Sequence, residues 1–291
     1  MFTRRIWLAI FLFCFLASTF GEGRTTRHKI KIKGLMISYH ESGKGEALVL
    51  LHGFTQDSRV WKKQTGYLSN YFRVIEWDAP GAGLSDDPPA NFNMSDWAEC
   101  LAALMDSARI SQAHVLGISW GGVLAQEFYH RHAEKVLSLI LCGTNAGWRS
   151  ISDSAADARL EACKKDSRLS PAELSRKYLP TMFSDNPRKE ITDTLGHIII
   201  GTHPSGFRAM ASAIAQEDTR AILPGIKVPV LLVWGESDKR APVPVAEIMH
   251  SVITGSTLKI IANAGHMSNM EQPEQFNTIV KDFCMMNHGR K

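Results

Sequence analysis

Short runs of aliphatic residues recur along the chain, and they predict a parallel β-sheet. Each run is continuous and does not alternate with polar residues, as in a strand that is buried on both faces. Segments with a helical pattern separate most of the runs, which is the order of elements in an α/β fold with helices on both faces of the sheet. The predicted parallel strands are 47–51, 73–77, 113–116, 136–141, 230–234 and 258–261.

Two further segments precede the first of these runs. Residues 29–32 alternate polar and apolar side chains, Lys33-Gly34 has turn composition, and residues 35–39 run back. This pattern is typical of an antiparallel hairpin. We therefore expect a mostly parallel central sheet that begins with antiparallel strands.

One long interval, from Gly143 to about Leu223, contains no strand-like run. Several amphipathic helices are predicted there, one of them opened by Ser170-Pro171-Ala172-Glu173, a capping box with proline in the first turn. The interval follows the end of a strand, so we expect a helical cap over the carboxyl edge of the sheet, where open α/β sheets bind ligands. The chain is thus divided into a core of residues 22–146 and 223–291 and a cap insert of residues 147–222.

The first 21 residues have the pattern of a secretory signal peptide. Arg4 and Arg5 precede an unbroken apolar run over residues 6–16, and small residues up to Gly21 offer a cleavage site. The run is shorter than the roughly 20 residues that span a bilayer. We expect a periplasmic or secreted protein whose mature chain begins near Glu22. The alternative is a protein whose uncleaved leader anchors it to the membrane.

Composition and charge exclude several classes of protein. The chain is 44% hydrophobic and 21% charged with a net charge of +4, so it resembles neither a disordered segment nor a nucleic-acid-binding protein with a basic face. Beyond Cys14 there are four cysteines, and none lie at the close spacing of a zinc site. We expect no metal and no cofactor. Four cysteines permit three disulfide pairings, and the sequence leaves that question open.

The segment Gly117-Ile118-Ser119-Trp120-Gly121-Gly122 carries the clearest chemical signal. It follows a predicted strand and precedes a predicted helix over about 122–131. A G-x-S-x-G sequence in that context is typical of a nucleophile elbow, a strained turn that presents the serine hydroxyl above the sheet. The alternative interpretation is a glycine-rich packing turn in which the serine has no chemical role.

A nucleophilic serine needs a base, and the base needs an acid that fixes its tautomer. Asp238 follows the strand at 230–234, and His266 follows the strand at 258–261. Both lie at the edge of the sheet where we expect Ser119, in the chain order serine, acid, histidine of elbow-bearing folds. Glu236, in the same loop as Asp238, is the alternative acid.

Acyl transfer also needs donors for the developing oxyanion. The backbone N–H of Trp120, directly after the serine, and that of Phe54, after the strand at 47–51, are the candidates. His52 precedes glycine at the end of that strand, and we interpret it as shaping the loop.

Four apolar residues are candidates for lining a substrate pocket: Trp148, Met182, Phe183 and Met267. The cap is large enough to enclose such a pocket, and an enclosed pocket favours small substrates.

Together these motifs resemble the α/β-hydrolase superfamily over essentially the whole mature chain, from His52-Gly53 through residues 78–85 to the serine, acid and histidine. Within it, residues 265–274, together with Trp148 and the acidic, alanine-rich helix after it, resemble the 3-oxoadipate enol-lactonase group and its esterase relatives. The resemblance implies a cofactor-free carboxylic ester hydrolase that cleaves a small ester or lactone through an acyl-serine intermediate.

Other functions on the same fold stay open. Residues 117–126 also resemble polyhydroxyalkanoate depolymerases, and a Ser-Trp-Gly elbow occurs in proline iminopeptidases. The alternatives are therefore a polyester depolymerase or lipase-like esterase, a C–C bond hydrolase, an aminopeptidase, or a non-catalytic binding protein.

Overall fold

The computed structural model describes residues 25–289, which form a mixed eight-stranded sheet with helices. The predicted leader, residues 1–21, lies outside the described residues. In chain order the strands are β1 (Thr26–Ile32), β2 (Leu35–Ser42), β3 (Ala47–Leu51), β4 (Arg73–Trp77), β5 (Ala113–Ile118), β6 (Val136–Cys142), β7 (Val230–Gly235) and β8 (Thr257–Ile261).

The strands lie across the sheet in the order β1-β2-β4-β3-β5-β6-β7-β8. The β1–β2 and β2–β4 pairs are antiparallel, and every later pair is parallel. Every residue of the central strands β3 and β5 is buried. This explains their continuous apolar sequence, because both faces of such a strand are covered. The predicted fold class, a mostly parallel α/β sheet, is confirmed.

Residues 25–289 contain ten α-helices, and none of them is both long and apolar enough to cross a membrane. In chain order they are α1 (Lys62–Leu68), α2 (Met94–Ser107), α3 (Trp120–Arg131), α4 (Asp153–Asp166), α5 (Pro171–Tyr178), α6 (Lys189–Ile200), α7 (Pro204–Ile214), α8 (Val243–Val252), α9 (Ser268–Glu271) and α10 (Pro273–Met286). Helix α5 begins after Ser170 with the capping box expected from its sequence, since Ser170 and Glu173 exchange hydrogen bonds.

Helices α4–α7 all lie between β6 and β7 and form the cap. The two segments that join the cap to the core run side by side. The N–H of Arg149 donates to the carbonyl of Glu217 at 3.0 Å, and the N–H of Thr219 donates to the carbonyl of Ala146 at 2.8 Å. These bonds hold the beginning and the end of the insert together at one place on the core.

Four cysteine thiols lie within the described part of the chain, and they form no disulfide there: Cys100, Cys142, Cys163 and Cys284. All four are buried, and burial raises the pKa of the Cys100 thiol to about 11. Thiols of this kind pack as small apolar groups.

Candidate active site

Ser119 occupies a sharp turn between β5 and α3. Its φ of +56° lies in the left-handed region, which is strained for a residue with a side chain. The glycines beside it are required by close packing. A Cβ at Gly117 would lie 2.2 Å from the carbonyl oxygen of Gly121, and one at Gly121 would lie 2.3 Å from that of Leu51 in β3. The turn thus holds Ser119 at the carboxyl edge of the sheet.

Asp238 follows β7 and His266 follows β8, and their side chains meet there. Nδ1 of His266 lies 2.9 Å from Oδ2 and 3.1 Å from Oδ1 of Asp238, and both residues are buried. The carboxylate also accepts hydrogen bonds from the N–H groups of Arg240 and Ala241 at 2.8 and 2.9 Å. Because Nδ1 donates to Asp238, Nε2 keeps the free lone pair that a general base needs.

Glu236, the alternative acid, lies elsewhere. Its side chain is exposed, and its Oε2 lies 3.4 Å from the N–H of Asn263. The structure therefore pairs His266 with Asp238.

A cavity of about 410 Å³ opens between the sheet edge and the cap. Ser119 and His266 both line it, as do Phe54 and Trp120, the residues with the expected oxyanion donors. Within residues 25–289 neither of those two N–H groups donates to another protein atom. The N–H of Trp120 is free because it belongs to the first residue of α3, which has no partner inside the helix.

The cap contributes aromatic and polar side chains to the wall of this cavity. The ring of Phe54 packs against Phe207 of α7 at 4.5 Å and against Tyr178 of α5 at 6.4 Å between centroids. Further cap residues on its wall include Trp148, Arg159, Asp166 and Lys177.

Three of the four residues expected along the pocket are placed elsewhere, so that expectation was wrong for them. Only Trp148 lines the cavity, whereas Met182, Phe183 and Met267 are each at most 2% exposed and pack between cap and core. The N–H of Met267 donates to the carbonyl of Met182 at 2.9 Å, and a Cβ on Gly265 would lie 2.3 Å from the backbone of Phe183. The segment after α5 passes directly over the loop that holds His266, and the three apolar side chains are buried in this contact.

Both nitrogens of the His52 ring are occupied inside the core. Nδ1 donates to the carbonyl of Gly53 at 2.9 Å, and Nε2 accepts from the N–H of Ala79 at 3.1 Å. Burial lowers the pKa of this imidazole, which disfavours its charged form. His52 thus joins two loops beside the site without reaching the cavity.

The sequence analysis missed Glu271, a buried carboxylate that joins the His266 loop to the cap. It accepts hydrogen bonds from the N–H of Gly265 at 2.6 Å, from the N–H of Ser184 at 3.1 Å and from the hydroxyl of Ser184 at 2.6 Å. The signal available was an acidic residue five positions after His266. Arg240, two positions after Asp238, was missed as well and lines the cavity.

Comparison with known proteins identifies the family of this chain. A family model described as alpha/beta hydrolase fold matches residues 46–273. The chain belongs to the α/β hydrolase fold family. The predicted membership of this superfamily is confirmed.

Relatives of this α/β hydrolase include lactonases, esterases and other hydrolases. It is 28% identical to 3-oxoadipate enol-lactonase 2 of Acinetobacter baylyi over 81% of this chain and 87% of that one. It is 30% identical to a 2-hydroxy-6-oxononadienedioate/2-hydroxy-6-oxononatrienedioate hydrolase of Burkholderia vietnamiensis over 86% of this chain and 91% of that one. A solved thermophilic esterase of Thermogutta terrifontis superposes with a TM-score of 0.84 and 27% identity, covering 90% of this chain and 99% of the esterase. The resemblance to the enol-lactonase and esterase group is thus confirmed.

Proposed function

We propose that this α/β hydrolase cleaves a small carboxylic ester or lactone through an acyl-serine intermediate. The observation that supports this most is that Ser119 and His266 line one cavity while Asp238 binds Nδ1 of His266. The named lactonase and esterase among its relatives agree with the same chemistry. In this proposal Ser119 is the nucleophile, His266 the general base and Asp238 the orienting acid.

The reaction follows from these roles. As Oγ of Ser119 attacks the carbonyl carbon, Nε2 of His266 takes its proton, and Asp238 stabilises the imidazolium that forms. The N–H groups of Phe54 and Trp120 donate to the oxygen that becomes negative. His266 then returns the proton to the leaving alcohol. In a lactone this alcohol stays attached to the acyl chain. His266 then deprotonates a water molecule, which attacks the acyl carbon. The bond to Oγ of Ser119 breaks, and His266 returns the proton to Oγ as the acid leaves.

The small volume of the cavity favours short acyl groups over long ones. A volume of about 410 Å³ is at the small end of the range for ligand pockets. We expect kcat/KM for a short-acyl ester to exceed that for a long-acyl ester of the same alcohol. A preference for the long chain would support the lipase or polyester depolymerase alternative, with the cap acting as a mobile lid.

Labelling with a fluorophosphonate probe tests the proposed nucleophile. The wild-type protein and the matched control Ser154→Ala, at an exposed serine of α4, should both react, whereas Ser119→Ala should not. A screen of esters, lactones and aminoacyl amides then identifies the bond that is cleaved. A wild-type protein that does not react with the probe would contradict the proposal and favour a non-catalytic binding protein.

Hydrolysis of a C–C bond is the second candidate. One relative is named for hydrolysis of an oxo-dienedioate, a substrate name that contains no ester group, so water must cleave a carbon–carbon bond. Product analysis distinguishes the two reactions. An ester or lactone yields a carboxylic acid and a hydroxyl group, whereas a C–C substrate yields a carboxylic acid and a new C–H bond.

We also propose that the protein is exported. Arg4, Arg5 and the apolar run that follows support this proposal. Intact-mass measurement after expression in a secretion-competent host should give a chain that begins near Glu22. A full-length cytoplasmic product would contradict it.

A further inference from the structure

Positively charged side chains outnumber negatively charged ones on the cavity wall. Among the described residues that line it, four carry a lysine or arginine charge and one carries a carboxylate. The cations are Arg159, Lys177, Lys239 and Arg240, and the acid is Asp166. The attack of Ser119 on a neutral ester, with His266 as the base, needs no such surplus.

The two lysines are already neutralised by acidic side chains. Nζ of Lys177 lies 2.5 Å from Oδ1 of Asp166, and Nζ of Lys239 lies 2.7 Å from Oδ1 of Asp185. The side chain of Lys239 is also 42% exposed, so water solvates its charge. Neither lysine therefore requires a ligand.

Arg240 differs because it is half-buried and has no acidic partner. Within residues 25–289 no carboxylate oxygen lies within 4.0 Å of the guanidinium nitrogens of Arg240, so this side chain forms no salt bridge with them. One nitrogen, Nη1, donates to the hydroxyl of Thr181 at 3.0 Å, and the guanidinium carbon lies 5.4 Å from the centre of the Tyr178 ring. Burial lowers the pKa of this guanidinium because its charge is poorly hydrated. Its remaining N–H groups have no carboxylate to bind.

A second guanidinium lies at the rim of the same cavity. Arg159 of α4 is exposed, and its guanidinium carbon lies 5.8 Å from the centre of the Trp148 ring. The two arginines reach the cavity from different elements, one from the cap and one from the loop that carries Asp238. An anionic group would therefore find positive charge on the cap side and on the core side.

We propose that Arg240 binds a free carboxylate of the substrate, so that the ester or lactone cleaved at Ser119 carries a second, ionised carboxyl group. This inference rests on the proposed function. A guanidinium matches a carboxylate because two parallel N–H groups face two oxygens. The single charge of this half-buried guanidinium balances the single charge of a carboxylate. Arg240 thus determines specificity and takes no part in the chemistry.

Protection against the fluorophosphonate probe tests the subsite without knowledge of the natural substrate. Succinate should slow the labelling of Ser119 in the wild-type protein, and succinamide, which has the same shape without charge, should not. In Arg240→Met the protection by succinate should disappear. This substitution leaves the backbone N–H that binds Asp238 in place, so the catalytic acid keeps that hydrogen bond.

A matched pair of substrates gives the quantitative test. We expect kcat/KM for monoethyl succinate to exceed that for ethyl succinamate, and the ratio to fall by about tenfold or more in Arg240→Met, the effect of losing one charge-assisted hydrogen bond. The ratio cancels any loss of activity that both substrates share. Lys239→Met is the matched control, because Lys239 lines the same cavity but is paired with Asp185, and its ratio should match that of the wild type.

The outcomes separate the subsite from the reaction. Absence of labelling in the wild-type protein would refute the proposed function and this inference with it. Labelling that succinate does not slow, or an unchanged substrate ratio in Arg240→Met, would refute the carboxylate subsite alone. Equal protection by inorganic phosphate would replace it with a general anion site, and an equal fall of the ratio in Lys239→Met would show that overall charge is responsible.

Discussion

Gly143→Ala should impair the proposed reaction by pushing the acid and the base apart. Gly143 directly follows β6 and lines the cavity, with a φ of +46°. A methyl group there would lie 2.9 Å from Oδ2 of Asp238 and 3.1 Å from Nδ1 of His266. The added carbon thus contacts both atoms of the hydrogen bond that orients the base.

The size of the effect follows from these distances. Ordinary contacts of a Cβ begin at 3.4 Å, so Asp238 must move by about half an ångström. A displacement of about 1 Å in an active site lowers the rate by about a hundredfold, so we expect kcat/KM to fall by at least about tenfold. The left-handed backbone adds a cost of about 1 kcal/mol to the free energy of folding.

Gly255→Ala is the matched control for that backbone cost. Gly255 has a φ of +76°, and an added Cβ would have no atom within 4 Å. In urea unfolding, Gly255→Ala should show the backbone cost alone, and Gly143→Ala should lose at least as much stability because its added contact is also unfavourable. Only Gly143→Ala should lose ester hydrolysis and probe labelling. If both variants hydrolyse the ester equally fast, the contact with Asp238 and His266 has no catalytic effect, and the reasoning is wrong.

Three further predictions concern single carboxylates and the catalytic pair. Ser119→Ala and His266→Ala should each lower kcat by several orders of magnitude, and the double variant should lose little more, because the two residues act as one unit; additive losses in steady-state kinetics would contradict this. Asp238→Asn should lower kcat far more than Glu236→Gln, since only Asp238 contacts His266, and the reverse order would show that the acid is Glu236. Burial raises the pKa of Glu76 from 4.5 to about 7, so the folded protein holds a proton there that the unfolded chain has released. The free energy of unfolding should therefore fall by up to about 3 kcal/mol as the pH rises from about 4.5 to 8, and Glu76→Gln should remove this part of the fall in urea titrations at the two pH values; an unchanged slope would contradict the shift.

The strands were predictable because the hydrophobic pattern of each strand lies within its own segment of the sequence. A run such as β3 is apolar throughout because both of its faces are buried, and its predicted and observed limits, 47–51, coincide. The observed hairpin strands extend beyond the prediction, since β1 begins at Thr26, where the side chains are exposed, and β2 continues through polar residues to the buried Ser42. Periodicity alone does not mark such ends.

The pairing of His266 with Asp238 was also predictable, because parallel strands bring their carboxyl ends to one edge. The residues that line the wall of the cavity were not predictable from the sequence. Whether an apolar residue of the insert, such as Met182, faces the cavity or the core depends on how the cap helices pack. Arg240 shows the same limit. Its distinguishing feature is that no carboxylate of residues 25–289 lies within 4.0 Å of its guanidinium nitrogens, and this depends on the folded arrangement and not on the sequence around it.

The two segments that join the cap to the core run side by side, and this makes the insert an exchangeable part of the molecule. Because Arg149 bonds to Glu217 and Thr219 bonds to Ala146, the chain leaves and re-enters the core at one point, and the free energy of closing a loop there changes only slowly with its length. Substrate range can therefore diverge through replacement of the whole insert while β6 and β7 stay in register. A replacement cap must also reproduce the contacts that support the core. Among them, it must offer donors to the carboxylate of Glu271, as Ser184 does now, or the loop that carries the histidine loses this support.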